Sequence, residues 1–317
     1  MPMAPDERIR KNFASQRRLT VILGWTAVGL STLAACYWAI WGAIENFHEG
    51  WFYSSLWTNL GLMLSQYLLP MILFVAASLV AIRWPQIGGG IHLATALAAA
   101  WFLRGASPKV VYPFVVAPFV IMGGLYWFGR ARPRRWAVAI VICLPLISLL
   151  IFGAEPAHRV AGRLDDGDRS ARPLSENGVN LIWAPAGPGW PVDGVTWEQA
   201  AWRCRYLKDD GMSLAETPQN IWRLPSVEEA VRSMERHGAN SGGSWNPARG
   251  KASYLVTPDK ESPLWDVHSQ VIYWWTATEV NEREAYIIAY DGQVWRRHKQ
   301  AHWGYLAFRA VKDGVKH

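Results

Sequence analysis

Five apolar runs in the first half of the chain constrain its fold more than any other feature. They lie at residues 19–43, 59–82, 87–103, 111–129 and 136–153, and no Asp, Glu, Lys or Arg falls in any of them. At about 1.5 Å per residue, runs of this length match a hydrocarbon layer about 30 Å thick. Inside such a layer the backbone must satisfy its own hydrogen bonds, so the runs predict five transmembrane helices. The third is the shortest. It opens with Gly88-Gly89-Gly90 and contains His92, so it admits a tilted or re-entrant path as well as a full crossing.

Charge gives these spans a direction. Residues 1–153 hold 12 Lys+Arg and 4 Asp+Glu, a net of +8; residues 154–317 hold 20 and 21, a net of −1. The whole-chain +7 therefore belongs to the apolar half. A pI near 9.4 would ordinarily suggest nucleic acid. Here the basic residues sit between the apolar runs, where they set topology, and nucleic-acid binding is excluded on that ground. The tail 1–18 has five basic residues, Arg83 follows the second run, and residues 130–135 contain four arginines. The loop 44–58 has neither Lys nor Arg and is rich in aromatic residues. Alternate loops are thus basic, with Arg104 and Lys109 running mildly against the pattern. The expectation is a multi-pass protein of the cell (inner) membrane, with its N-terminus cytoplasmic and the part beyond residue 153 periplasmic or extracellular.

The three cysteines add little. Cys36 and Cys143 lie in apolar runs, and Cys204 is alone in the second half, so no disulfide or cysteine zinc cluster is expected there. Leu33-Ala34-Ala35-Cys36 resembles a lipoprotein lipobox, but Tyr37-Trp38-Ala39-Ile40-Trp41 continues the apolar run with no polar tether. A small residue within a span is the better reading. His92 is the one readily ionisable side chain well inside a run; Ser65 and Gln66 are the nearest other polar candidates. With no carboxylate in any run, an anchor or assembly platform is the first expectation for this half, and a small transporter or channel with an accessory soluble domain is an alternative.

Residues 154–176, with Asp165-Asp166-Gly167-Asp168, read as a solvated linker, since they lack the spaced ligands of a calcium loop. Beyond them a strand is expected at 179–183, then a Pro/Gly-rich loop at 184–195. Thr196 with Gln199 and Ser226 with Glu229 have capping-box spacing. The first box opens a helix to about Lys208, whose stripe of Trp197, Ala200, Ala201, Cys204 and Leu207 makes Cys204 a core thiol. The second follows Trp222-Arg223-Leu224-Pro225, with Trp222 and Leu224 expected in the core, and opens a helix ending at Arg236-His237 before Gly238. Residues 239–270 read as a long irregular loop carrying Trp245, Trp265 and Asp266. Strands follow at 271–276 and 285–290, with Asp291-Gly292 as a hairpin signal, then at 293–299 and 305–311. On the return strand Trp295, Arg297 and Lys299 share one face, which is a reasonable surface for an acidic ligand and equally a solvated edge with one packed tryptophan.

The runs Val195-Thr196-Trp197-Glu198-Gln199-Ala200-Ala201 with Cys204, Trp222-Arg223-Leu224-Pro225, Tyr273-Trp274-Trp275-Thr276-Ala277-Thr278-Glu279 and Ala307-Phe308-Arg309-Ala310-Val311 occur in this order. As a set, over about residues 177–317, they resemble the DUF1566 domain, also called the Lcl C-terminal domain, and more distantly the sulfatase-modifying-factor (formylglycine-generating enzyme) superfamily. The resemblance implies an α+β C-type-lectin-like domain after the multi-pass α-helical membrane region. The formylglycine-generating branch works through a pair of cysteines late in the domain, and no cysteine follows Cys204, so that chemistry does not transfer. His298 and His302 straddle a strand end and make a poor metal pair. No catalytic residue, metal site or cofactor is expected. The implied role is non-catalytic recognition of an extracytoplasmic ligand, a protein or a glycan, with Trp245, Trp265, Asp266, Trp295, Arg297 and Lys299 as candidate contacts. A modifying-factor-type enzyme with an unrecognised centre is the other alternative. The remaining partner is the bilayer, and homo-oligomerisation through the membrane helices is left open.

Overall fold

The computed structural model describes residues 5–105, 107–185 and 194–314, and gives the backbone alone for 5–13, 110 and 114. Most of the Pro/Gly-rich loop expected at 184–195 lies outside the described residues, as do the first four residues of the tail. The chain divides into two compact units. One takes the chain up to His48 and from Trp57 to His158; the other takes Glu49–Leu56 and the chain from Arg159 onward.

The first unit is helical over all five apolar stretches. It contains α1 (Pro5–His48), α2 (Leu56–Leu62), α3 (Leu69–Arg83), α4 (Pro85–Phe102), α5 (Pro108–Val111), α6 (Ala117–Phe128) and α7 (Arg134–Ala161). Two π-helical turns, Met63–Tyr67 and Tyr112–Val116, interrupt the second and fourth stretches. By length and composition α1 and α7 can each cross a membrane, and a third crossing is made if Leu56–Tyr67 and Leu69–Arg83, bent by 62° at their break, form one span. Cys36 sits inside the continuous helix α1. Close packing rests on small residues, as lipid-embedded helices require. A Cβ on Gly88 would lie 2.2 Å from Ala81 Cα, which lets α4 approach α3. Tyr126 of α6 finds its hydrogen-bond partner in Ser31 Oγ of α1 at 2.7 Å.

The second unit is α+β. Its elements are β1 (Arg172–Leu174), β2 (Leu181–Trp183), α8 (Trp197–Tyr206), α9 (Val227–Ser233), β3 (Glu235–Arg236), β4 (Ala239–Asn240), β5 (Ser244–Asn246), β6 (Lys251–Ser253), β7 (Tyr273–Glu279), β8 (Glu284–Ala289), β9 (Val294–His298), β10 (Leu306–Ala307) and β11 (Val311–Asp313). The larger sheet has the order β10-β7-β8-β9, with β10 parallel to β7 and the rest antiparallel. A smaller sheet, β1-β2-β11, brings the last strand back onto the first part of the domain. The core is built on tryptophan: Trp265 stacks on Trp274 at 3.4 Å and 3°, and Trp183 packs on Trp274 at 5.4 Å.

Several local readings change. The second helix stops at Ser233, because Met234 turns extended to bury its side chain. His237 and Gly238, both at positive φ, form the tight turn of the β3–β4 hairpin instead of a helix end. The closing strand is two strands in two sheets. The Asp291-Gly292 signal sits in a longer connection, where Gly292 N–H donates to Ala289 O and Gly292 takes the left-handed position. The stretch 239–270 holds β4, β5 and β6 and four successive buried polar residues, Asp259, Lys260, Glu261 and Ser262.

The stretch expected as a solvated linker is folded onto this unit. α7 runs to Ala161 and β1 pairs with β2. Between them Leu164 N–H donates to Glu261 at 2.8 Å, Ser262 N–H to Leu164 O at 2.9 Å, and Arg163 donates to Asp259 at 2.9 and 3.1 Å. Asp165, Asp166 and Asp168 each accept from a backbone N–H two residues on, and pair with Arg169 and Arg172. These aspartates order the segment; they do not leave it free.

Candidate functional site

The scaffold around the larger sheet comes from local sequence. Thr196 accepts from Gln199 N–H and Ser226 from Glu229 N–H, with the reciprocal bonds also made, so both capping boxes are formed. Trp222 is buried, with its indole N–H on Lys208 O at 2.8 Å, and Leu224 is buried beside it. Arg223 exchanges backbone hydrogen bonds with Val311, and its guanidinium grips both oxygens of Glu229 at 2.7 and 2.8 Å and Asp313 at 2.9 Å. The start of α9 is thereby fixed to the closing strand.

The cross-strand register then sets the exposed chemistry. Trp295 lies opposite Ile287, which lies opposite Trp275, so these three share one face, and Arg297 follows two residues on. Trp275 is buried there, its indole N–H donating to Val195 O at 2.7 Å. Above it Tyr273, Trp295, Arg297 and Trp303 are all half-buried. The Arg297 guanidinium carbon lies 5.6 Å from the Trp295 ring centre and 5.7 Å from that of Trp303. Tyr273 joins them at 5.5 Å from Trp295 and 6.4 Å from Trp303. Trp303 is held at its backbone, where a Cβ on Gly194, at φ +77°, would come within 2.2 Å of Trp303 O. Only glycine fits that contact.

The electrostatics of this patch are simple. Arg297 donates to Arg296 O at 3.3 Å, and among the described residues no carboxylate pairs with it. A guanidinium over aromatic rings is held in place by cation–π attraction while its donor edges stay available. An anion would meet a planar, bidentate donor flanked by flat apolar rings.

The six candidate contacts separate. Trp295 and Arg297 are brought together in this patch. Trp245, on β5, packs edge-on against Tyr286 at 5.3 Å and is half-buried. Trp265 is 2% exposed in the core stack, which leaves its ring no room for a ligand. Asp266 pairs with Arg169 at 2.9 Å. Lys299 pairs with Glu279 and lies 4.5 Å from the Trp197 ring, so its ammonium has internal partners. Trp303 and Tyr273 complete the patch and were not singled out in the sequence. Trp303 lies in an irregular stretch with no periodicity to give it a face, and only the β10–β7 pairing returns it to the sheet.

A second polar assembly is buried. Asp259 meets Arg163, Arg236 at 3.0 Å and Arg159 at 3.5 Å, and Glu261 accepts from the backbone N–H groups of Leu164 and His237. Lys260 donates to Ser269 O, and burial with the nearby Arg163 pushes its ammonium down to about 7. Arg309 is buried against the carbonyls of Ala184, Pro263 and Leu264; burial, then the charges of Arg172 and Arg169, push it down to about 9. Asp259, Lys260, Glu261 and Arg309 are buried among their partners, with Arg159 partly exposed at the edge, so this assembly locks the fold. No family model, characterised protein or solved structure matches the chain.

Proposed function

We propose that this chain is a multi-pass membrane protein that presents a non-catalytic, C-type-lectin-like recognition domain of the DUF1566 type outside the cytoplasm, where it binds an anionic ligand. The observation that carries the binding half is Arg297, seated over Trp295 and Trp303 without a carboxylate partner among the described residues. Two indoles and a tyrosine, with Tyr273 inclined at 54° to Trp295 and 74° to Trp303, give a ligand apolar ring faces and edges, and the guanidinium selects an acidic group among them. Acidic glycans and acidic peptide segments both have this chemistry.

The topology half rests on charge and on unit membership. The aromatic loop Glu49–Leu56, which has no Lys or Arg, belongs to the same compact unit as the chain beyond Arg159. Parts of one compact unit lie on one side of a bilayer. The loop follows α1 and the domain follows α7, so the helices between them make an even number of crossings. α4, and the helical run Pro108–Phe128 through its π turn, are each about 30 Å long and suit that count. The element order of strand, helices, a long segment of short strands and then an antiparallel sheet supports the resemblance to DUF1566.

The test is to screen the full chain in detergent against arrayed acidic and neutral glycans and peptides. Binding is expected to be confined to anionic members and to weaken about tenfold or more in Arg297→Ala and in Trp303→Ala. Hits indifferent to both substitutions place the site elsewhere and remove this reading.

A further inference from the structure

The helical unit contains an apolar cavity of about 430 Å³. Its volume falls within the range of small-molecule sites. Its walls come from α1 (Tyr37, Trp38), α3 (Leu73, Phe74), α4 (His92) and α6 (Phe119), among others. Tyr37, Leu69, Leu73 and Ile91 on its wall are exposed on the outside of the unit. The cavity therefore opens to the surface of the unit among apolar side chains, as a chamber reached from lipid would.

Three features converge on it, the third following from the second. First, the two π-helical turns both lead straight into the wall: Met63–Tyr67 is followed by Leu69 and Pro70, and Tyr112–Val116 contains Val115 and is followed by Pro118 and Phe119. Such turns widen a helix locally and recur at functional sites. Second, the wall carries a histidine that is 1% exposed. His92 Nδ1 lies 2.8 Å from Gly88 O, while Nε2 has no hydrogen-bond partner. Third, that bond fixes the tautomer. A carbonyl oxygen only accepts, so Nδ1 carries the proton and Nε2 of the neutral ring is an acceptor. An orphaned acceptor in an apolar enclosure is costly until a donor reaches it, and because Nε2 itself has almost no accessible surface, the ring must shift toward the cavity for one to do so. The Thr95 hydroxyl, also on the wall, already donates to Ile91 O at 2.9 Å.

We propose that this cavity binds a lipid-soluble molecule with a long apolar body and a single hydroxyl head, which donates its O–H to His92 Nε2. The apolar walls do not suit the water-filled path of an ion channel or polar-solute transporter, and Gln66 is exposed and not on the wall. The proposal goes beyond ligand recognition by the α+β domain and requires only that the helical unit lies in a bilayer, so either can fail without the other.

The experiment uses the full chain in lipid nanodiscs and a photoactivatable, diazirine-bearing dodecanol as probe. Labelling is mapped by mass spectrometry and competed with dodecanol and with 1-methoxydodecane, which has the same apolar body and no O–H. Labelling of Trp38, Leu73 or Phe119 is expected, with dodecanol competing at about tenfold lower concentration than the ether. His92→Leu should erase that preference, and Ala77→Phe, which fills the chamber, should remove the labelling. Equal competition by alcohol and ether on the wild-type protein overturns the proposal. So does label spread over outer-surface residues such as Leu97 and Leu150 and unaffected by Ala77→Phe. If His92→Leu does not fold, the wild-type competition and Ala77→Phe still decide the matter.

Discussion

Glu235 is an acid that the fold holds against its ordinary chemistry. It lies half-buried on β3, and burial, reinforced by the negative charge of Glu176, pushes its carboxyl up to about 7, with Arg172 only partly offsetting this. Between about pH 4.5 and 7 the folded protein therefore keeps a proton that the unfolded chain releases. Stability from this group is fully present below the unfolded pKa and is lost as pH rises through the folded one. In full-length protein, with unfolding of the α+β unit followed by urea-dependent proteolysis, Glu235→Gln should gain on the wild type as pH goes from 4.5 to 7.5. A gap that stays constant, or that moves the other way, contradicts this assignment. Nothing in the local sequence announces Glu235 or the neighbouring Asp259–Ser262 segment. The segment lacks periodicity, and its partners Arg163, Leu164 and Asp166 lie 96 or 97 residues away. It reads as a loop because the contacts that bury it are invisible at short range, and the same distance makes 154–176 read as a tether.

At the scale of elements, what could be read from the sequence is what lies within a few residues. Both capping boxes need only a three-residue spacing, and α8 and α9 begin where that spacing places them. Their ends were harder. His237-Gly238 signals a left-handed turn, which closes a helix or a hairpin equally well, and burial of Met234 chooses the hairpin. The Trp295–Arg297–Trp303 patch divides the same way. Alternation along β9 pairs Trp295 with Arg297, whereas Trp303 reaches them only through pairing of β10 with β7. The α9 cap also does more than start a helix, because Glu229 carries the Arg223 clamp to Val311 and Asp313. Ser226→Ala should lower the stability of the α+β unit by about 1 kcal/mol, read by urea-dependent proteolysis. The Ala variant should also speed hydrogen exchange at Glu229 N–H. Unchanged exchange there would mean that the serine contributes nothing to the cap.

For the whole molecule, the apolar runs announced a helical membrane region because their meaning depends on length and composition alone. Two helices meet that standard individually and a third does so as a bent pair. A π-helical turn, Met63–Tyr67, lies at the bend of that pair and another, Tyr112–Val116, breaks the fourth run, and no hydropathy pattern marks either; α4 is an unbroken helix over the third run. The second unit recruits Glu49–Leu56 from between the first two helices, which ties the proposed function to topology: recognition outside the cytoplasm requires both segments to be outside it. The most direct measurement is a paired reporter fusion after residue 317 in living cells, using alkaline phosphatase, which is active only outside the cytoplasm, and a fluorescent protein that matures only inside it. The account predicts an active phosphatase and a dark fluorophore. A bright fluorophore with an inactive phosphatase would put the domain in the cytoplasm and contradict it.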